Sequence, residues 1–186
     1  MKHASKKELQ KAVEEIMRSP SDGGTVQMIV RRPSEGEREV LPGGRLSPED
    51  GLEGDNWKTR GSKSTPDGKA NPETQVTLMN TRVISAIAGT EDRWPLAGDQ
   101  IFVDLDLGPG SLPPGARFRI GEALLEVSKI PHTGCKKFAE RFGVEATKFV
   151  GSASGRENNF RGINAIVIEA GEIKIGDIAW KDRSRP

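Results

Sequence analysis

The chain has 186 residues, a single cysteine, and 28 basic against 27 acidic residues, for a formal net charge of +1. That balance gives no global field toward nucleic acid or an anionic membrane, so any anionic ligand must be caught by a local cluster. One cysteine excludes an internal disulfide framework, and a hydrophobic fraction of 34% with a mean hydropathy of −0.55 suits one core in one domain, or one domain with a small appendage.

The first residues, Met1-Lys2-His3-Ala4-Ser5, lead into a charged helix and lack the apolar core of a signal peptide. The longest aliphatic run, Ala165-Ile166-Val167-Ile168, is far too short to span a bilayer. The expected location is the cytoplasm, with neither membrane nor nucleic acid as a partner. Residues 5–18 predict an amphipathic helix: Ser5 and Glu8 have capping-box spacing, and Leu9, Ala12, Val13, Ile16 and Met17 share one face. Ser19-Pro20-Ser21-Asp22-Gly23-Gly24 breaks it. Residues 1–24 are thus expected to form a helical appendage and linker, and residues 25–186 the main domain.

Short strands dominate from there. Residues 25–32 are rich in β-branched side chains, and 75–79 form a second short strand. Asn80 caps a helix carrying Val83, Ile84 and Ile87, which Gly89 stops. Residues 101–107 alternate, with Ile101, Val103, Leu105 and Leu107 on one face and Phe102, Asp104 and Asp106 on the other. Residues 117–120 and 123–130 flank a tight turn at Gly121, and 163–169 with 172–175 predict a hairpin closed at Ala170-Gly171. Many short strands, frequent glycine and proline, and a few short helices predict a mainly β (α+β) fold: a closed or nearly closed β-barrel with short helical insertions and an N-terminal helix. Residues 58–72 have almost no apolar side chains and predict a mobile loop, either a plain insertion or a lid over a site.

The stretch with most chemistry is Pro131-His132-Thr133-Gly134-Cys135-Lys136-Lys137-Phe138, continuing to Gly143. With Thr133 as N-cap and Gly143 as the C-terminal stop, a two-turn helix would carry Cys135 in its first turn. The helix dipole and Lys136 and Lys137 would then favour a thiolate, with His132 as a nearby proton partner. Thiolate is both the nucleophile and the soft metal ligand. The alternative is packing: Cys135, Phe138 and Phe142 at i, i+3 and i+7 can form one buried apolar stripe, and His132 can simply hydrogen-bond the turn. No CxxC, HExxH, GxSxG, P-loop or GxGxxG pattern anchors a zinc, serine-hydrolase or nucleotide reading.

Three segments in order carry a family resemblance. They are Gly51-Leu52-Glu53-Gly54-Asp55; then Leu112-Pro113-Pro114-Gly115 through Gly121, residues 123–127 and Pro131 to Cys135; then Arg161-Gly162-Ile163-Asn164-Ala165 running into Gly171-Glu172-Ile173-Lys174-Ile175-Gly176-Asp177. This order resembles the MOSC domain, the C-terminal domain of molybdenum-cofactor sulfurases, over residues 25–180. The resemblance implies a β-strand-rich barrel and a stand-alone protein of bacterial type. It also implies a cysteine, matched by Cys135, that binds the molybdenum of the cofactor (molybdopterin) or carries a persulfide sulfur. Asp55 matches the pocket lining, and Arg161 and Asn164 match polar positions entering the late strand, where a pterin phosphate could be held; Lys136 or Lys137 is the further candidate donor to that phosphate. An arginine suits phosphate because its planar fork binds bidentately. Two departures bear on substrate and pocket polarity: Asn56-Trp57 stands where many relatives have histidine, and Gly98-Asp99-Gln100 where many have Gly-Glu-Asn.

The chain is too short for the pyridoxal-phosphate domain of full-length sulfurases, so sulfur would come from a separate cysteine desulfurase and pass to a sulfur acceptor. Two other roles stay open. One is a molybdenum-dependent oxidoreductase that reduces small N-hydroxylated compounds with electrons from a separate reductase. The other is a non-catalytic binding module in which the cysteine is structural.

Overall fold

The computed structural model describes residues 3–184; residues 1–2 and 185–186, the outermost parts of the two regions expected from sequence, lie outside it. In chain order the described elements are α1 (Lys6–Ile16), β1 (Gly24–Arg31), β2 (Glu39–Leu41), β3 (Gly43–Ser47), β4 (Gly51–Leu52), α2 (Trp57–Arg60), β5 (Val76–Asn80), α3 (Thr81–Ala88), β6 (Ile101–Asp104), β7 (Arg117–Ile120), β8 (Ala123–Pro131), α4 (Lys136–Phe142), α5 (Val144–Val150), α6 (Ala153–Glu157), β9 (Ile163–Glu169), β10 (Gly171–Lys174) and β11 (Ile178–Lys181). Short 3-10 turns occupy Pro72–Thr74 and Glu91–Ala97. Among these residues no helix is long and apolar enough to cross a membrane.

Seven strands close a barrel in the order β1-β11-β7-β8-β9-β5-β6 and back to β1, with β2 added outside on β1. Closure rests on Gly24 facing Ala179 and Thr25 facing Ile178. A Cβ on Gly24 would sit 2.3 Å from the Asp104 carbonyl oxygen, so three strands converge only where one residue lacks a side chain. All barrel neighbours run antiparallel except β5 and β6, whose parallel pairing follows from the helical crossover through α3. β3, β4 and β10 form a separate three-stranded sheet.

Period-two alternation builds two cores. On β6, Ile101 and Val103 point into the barrel and Phe102 points out; Leu105 and Leu107 complete the barrel filling past the strand's end. The outward face meets the helices, where Leu9 and Ile16 of α1, Ile84 and Ile87 of α3, and Phe138 and Phe142 of α4 close a second core. Each such large side chain, fully buried, contributes about 1.5–3 kcal/mol. The Ser5–Glu8 capping box of α1 is formed in both directions.

The expected hairpin of residues 163–169 with 172–175 does not form. β9 is paired on both edges, by β5 and β8, and β10 pairs instead with β3, Glu172 opposite Arg45. At the crossing Gly171 runs against the β7–β8 turn, where a Cβ would lie 2.3 Å from the Glu122 carbonyl carbon. The chain is therefore led over that turn rather than back along β9. Between β8 and β9 the register passes from Val127 opposite Ala165 to Pro131 opposite Ile163. That irregularity bends the end of β8 outward and aims residues 131–135 at the barrel rim.

Asn80 joins barrel to helix. Its Oδ1 accepts from the N–H groups of Arg82 and Val83, and its Nδ2 donates to the Leu105 carbonyl at 2.7 Å and the Ser19 hydroxyl at 2.8 Å. Asn80→Ala should cost about 2–3 kcal/mol, since it removes a helix cap and strands a buried carbonyl. Urea denaturation measures this; a loss under about 0.5 kcal/mol would contradict it.

Candidate functional site

Two buried ion pairs form the back wall of a cleft of about 380 Å³ at the rim where β1 and β8 end and β9 begins. Arg32, the residue after β1, grips Asp55 in a bidentate fork, Nε to Oδ2 and Nη2 to Oδ1, both at 2.8 Å. Asp55 also accepts the backbone N–H groups of Arg32 and Trp57, each at 2.9 Å, and its side chain has no exposed surface. Arg161 donates through Nη1 to both oxygens of Asp99, at 2.8 and 3.0 Å, and through Nη2 to the Ala97 carbonyl at 3.1 Å. Its guanidinium lies 4.8 Å from the centre of the Phe138 ring, and its Nε is buried without a hydrogen-bond partner. Arg32 reaches the same turn by donating Nη1 to the Gly98 carbonyl at 2.9 Å. Residues 97–99 thus hold both arginines. Gln100 extends the turn into β5: its Oε1 accepts from the Thr77 N–H at 2.9 Å and from the Thr77 hydroxyl.

Cys135 and His132 stand in front of this wall. The sequence reading put Cys135 in the first turn of a helix capped by Thr133; α4 instead begins at Lys136, and Cys135 is itself the N-cap. Its carbonyl accepts from Phe138 and Ala139, at 3.0 and 3.1 Å, and its thiol makes no capping bond. The thiol is exposed and lines the cleft. The apolar-stripe alternative holds for Phe138 and Phe142, both buried, but not for Cys135. His132 Nδ1 lies 3.4 Å from Asp99 and 3.5 Å from Arg161. Burial first, then repulsion from Arg161, pushes its imidazole down to about 3, so it is neutral at pH 7. Asn164 lines the cleft from β9 and ties the bend of β8 by donating Nδ2 to the Ile130 carbonyl at 2.9 Å.

Six cationic side chains line the cleft: Arg32, Arg38, Arg60, Lys137, Arg141 and Arg161. Burial, then the neighbouring Arg141 and Arg32, pulls the Arg38 guanidinium below its usual range, and burial followed by Arg32 does the same to Arg60. Both stay charged at any ordinary pH. Among the expected site residues, then, Cys135, His132, Lys137, Arg161 and Asn164 share the cleft. Asp55 lies behind it, anchoring Arg32. Lys136 does not line it; its side chain is 91% exposed and points toward Glu140 at 3.9 Å. Sequence reasoning missed Arg32, Arg38, Arg60 and Arg141, which arrive from three distant stretches. The one trace is Arg60, which has no acidic residue within four positions on either side.

Residues 58–72, expected to be a mobile loop, begin as α2, which carries Arg60 to the cleft. The Trp57 indole donates to the Asn71 carbonyl at 3.3 Å and pins the two ends of the segment together.

Two predictions follow from this geometry. Below pH 6.5 the unfolded chain protonates His132 while the folded chain does so only near 3, so stability is complete above 6.5 and falls as pH drops through that window. Between pH 7 and 5 the wild type should lose about 2 kcal/mol more than His132→Asn in denaturant titrations; equal losses would refute the buried neutral imidazole. Arg161→Ala leaves Asp99 buried without its cation and should cost about 3–5 kcal/mol. A thermal midpoint unchanged in that variant would show that the pair does not support the wall.

A family model of the MOSC domain matches residues 70–179, which include Asp99, His132, Cys135, Arg161 and Asn164. Among curated proteins no sequence matches. The fold is similar to that of the YUAD protein from Bacillus subtilis, at 18% identity and a TM-score of 0.62 over 84% of this chain and 93% of that one. It is also similar to YiiM from Escherichia coli, at 19% identity and a TM-score of 0.56 over 87% and 71%, and to YiiM from Geobacillus stearothermophilus, at 15% identity and a TM-score of 0.54 over 86% and 75%. With a closed seven-stranded barrel and a family match over more than half its length, the chain belongs to the MOSC domain family.

Proposed function

We propose that the cleft binds molybdenum cofactor or carries sulfur on Cys135 as a persulfide, in a sulfur-carrier or sulfur-transfer role. The observation that carries this reading is an exposed thiol at the mouth of a cleft walled by six cations. The donor set fits the group. A thiolate is a soft ligand suited to molybdenum or to sulfane sulfur, and guanidinium groups suit an anionic pterin phosphate. Among the described residues no three histidine, cysteine or acidic side chains gather as a metal site, so Cys135 would be the protein's ligand and the pterin would supply the others. When bound, the cofactor supplies redox and atom-transfer chemistry.

The protein's own residues prepare the place. Arg32 and Arg161, fixed by Asp55 and Asp99, keep the back wall rigid. Arg38 and Arg60 are the donors for an anionic group, with Lys137 beside them already paired to Glu35. His132 was expected to act as a proton partner for the thiol. An imidazole pushed down to about 3 is a weak base at neutral pH, so its part here is to pack and hydrogen-bond beside Arg161 and Asp99. Sulfur on Cys135 would come from a separate donor such as a cysteine desulfurase. Placing this chemistry inside a cell agrees with the cytoplasmic location expected from the sequence.

The test is intact-mass spectrometry and molybdenum analysis of protein purified gently from a molybdenum-replete host. Wild type should carry an added sulfur or bound cofactor, and Cys135→Ser should lose at least 90% of it while keeping its thermal midpoint. Equal loading of the two, or no loading of either, would overturn the proposal.

A further inference from the structure

The cations of the cleft differ in what they are already bound to. Arg32 and Arg161 are neutralised by buried carboxylates, and Lys137 pairs with Glu35 at 2.8 Å on the rim. Arg38 and Arg141 donate to the backbone carbonyls of Pro95 and Leu96, which fix their position without cancelling their charge. The side chain of Arg60, at the end of α2, makes no hydrogen bond or ion pair with any described residue, yet it lines the cleft. The buried Nε of Arg161, itself a cleft-lining residue only 5% exposed, is a further unpartnered donor. Unspent positive charge and one exposed thiol therefore occupy the same small space.

We propose that this cleft is a selective site for anionic disulfides of low molecular mass, with Cys135 as the attacking thiol and Arg60 as the residue that sets the charge preference. The thiolate sulfur of Cys135 attacks one sulfur of the disulfide. A new S–S bond to Cys135 forms, the old S–S bond breaks, and the leaving thiolate takes a proton from solvent. One disulfide is exchanged for another, and the incoming disulfide is the only oxidant needed. A cleft of about 380 Å³ has room for a small disulfide beside the thiol. A carboxylate on the incoming molecule is drawn in by the cationic walls, which raise its local concentration beside the thiol, and Arg60 is free to close on it because it gives up no other bond. The inference goes beyond the cofactor reading and does not rest on it, since the exchange needs only the thiol and the charge around it.

The test compares three aliphatic disulfides on cofactor-free protein: dithiodiglycolate (dianionic), 2-hydroxyethyl disulfide (neutral) and cystamine (dicationic). Mixed-disulfide formation on Cys135 is followed by intact mass, and each rate is divided by the rate of the same disulfide with 2-mercaptoethanol. The normalised rate for dithiodiglycolate should exceed that for cystamine by about tenfold or more at low salt, and the ratio should shrink in about 1 M salt. Arg60→Gln should lower the ratio several-fold, while Lys11→Gln, which removes the same charge from the outer face of α1, should not. A normalised ratio near one, a preference for cystamine, or a thiol that reacts with none of the three in the folded protein would overturn the site. A ratio unaffected by Arg60→Gln would overturn the role of that arginine. Either failure leaves the metal and sulfur analysis of Cys135 standing, and failure of that analysis leaves this exchange standing.

Discussion

A guanidinium cannot shed its proton, so an arginine taken out of water has to meet a fixed carboxylate or the wall containing it will not form. That constraint governs this barrel rim. Arg32 and Arg161 are both buried, and the carboxylates that meet them, Asp55 and Asp99, have no exposed side-chain surface. Neither pair is local in sequence: 23 residues separate one and 62 the other. Both arginines also donate to carbonyls in the single turn formed by Ala97 and Gly98. The turn itself requires a left-handed residue, supplied by Gly98 at φ +89°, at the end of the 3-10 segment. A short piece of chain on the barrel's outer wall therefore fixes the position of charges donated by β1 and by the approach to β9.

Neutralised pairs and unpaired cations then take different parts. A buried pair contributes little net field beyond its immediate surroundings, but its geometry is rigid, which suits a back wall. Unpaired or carbonyl-bound cations such as Arg60, Arg38 and Arg141 contribute the field, and they are less buried than the two paired arginines. Burial, then the neighbouring Arg141 and Arg32, lowers the Arg38 guanidinium, and burial followed by Arg32 lowers that of Arg60, as expected where cations crowd together away from water. A near-neutral protein thus acquires a cationic cleft without a cationic surface, as a net charge of +1 requires.

The barrel was legible because its signals are local. Alternation along residues 101–107 separates the two cores correctly, and the Ser5–Glu8 and Asn80 caps form as their spacing predicts. The hairpin at Ala170-Gly171 was misread for a reason of the same kind. Alternation says which face of a strand is buried and nothing about which strand lies beside it, and β9 has both edges taken by β5 and β8. The site was legible only in part. Cys135, Arg161 and Asn164 stand out through the order of family-like segments, whereas Arg32, Arg38, Arg60 and Arg141 belong to no motif. Their convergence is produced by the barrel's closure. The Gly98-Asp99-Gln100 departure, which from sequence bore on substrate and pocket polarity, proves to hold Arg32, Arg161 and Thr77.

The position of Cys135 at the start of α4 bears on what its thiol can do. In the first turn, the sequence reading left two outcomes open: a thiolate favoured by the helix end, or a side chain packed in one stripe with Phe138 and Phe142. At the N-cap it has extended backbone, φ −116° and ψ 173°, and lies outside that stripe. A cap position usually goes to serine, threonine, aspartate or asparagine, whose oxygen folds back onto the helix N–H groups and is thereby spent. Sulfur is a weak acceptor and makes no such bond here; the backbone carbonyl of Cys135 alone meets Phe138 and Ala139. The helix start therefore gives up some capping energy and leaves the thiol free to face the cleft. That also makes serine a clean replacement at this position, because it removes the sulfur while adding a better cap. Loss of chemistry in such a variant then reports on the sulfur rather than on the fold.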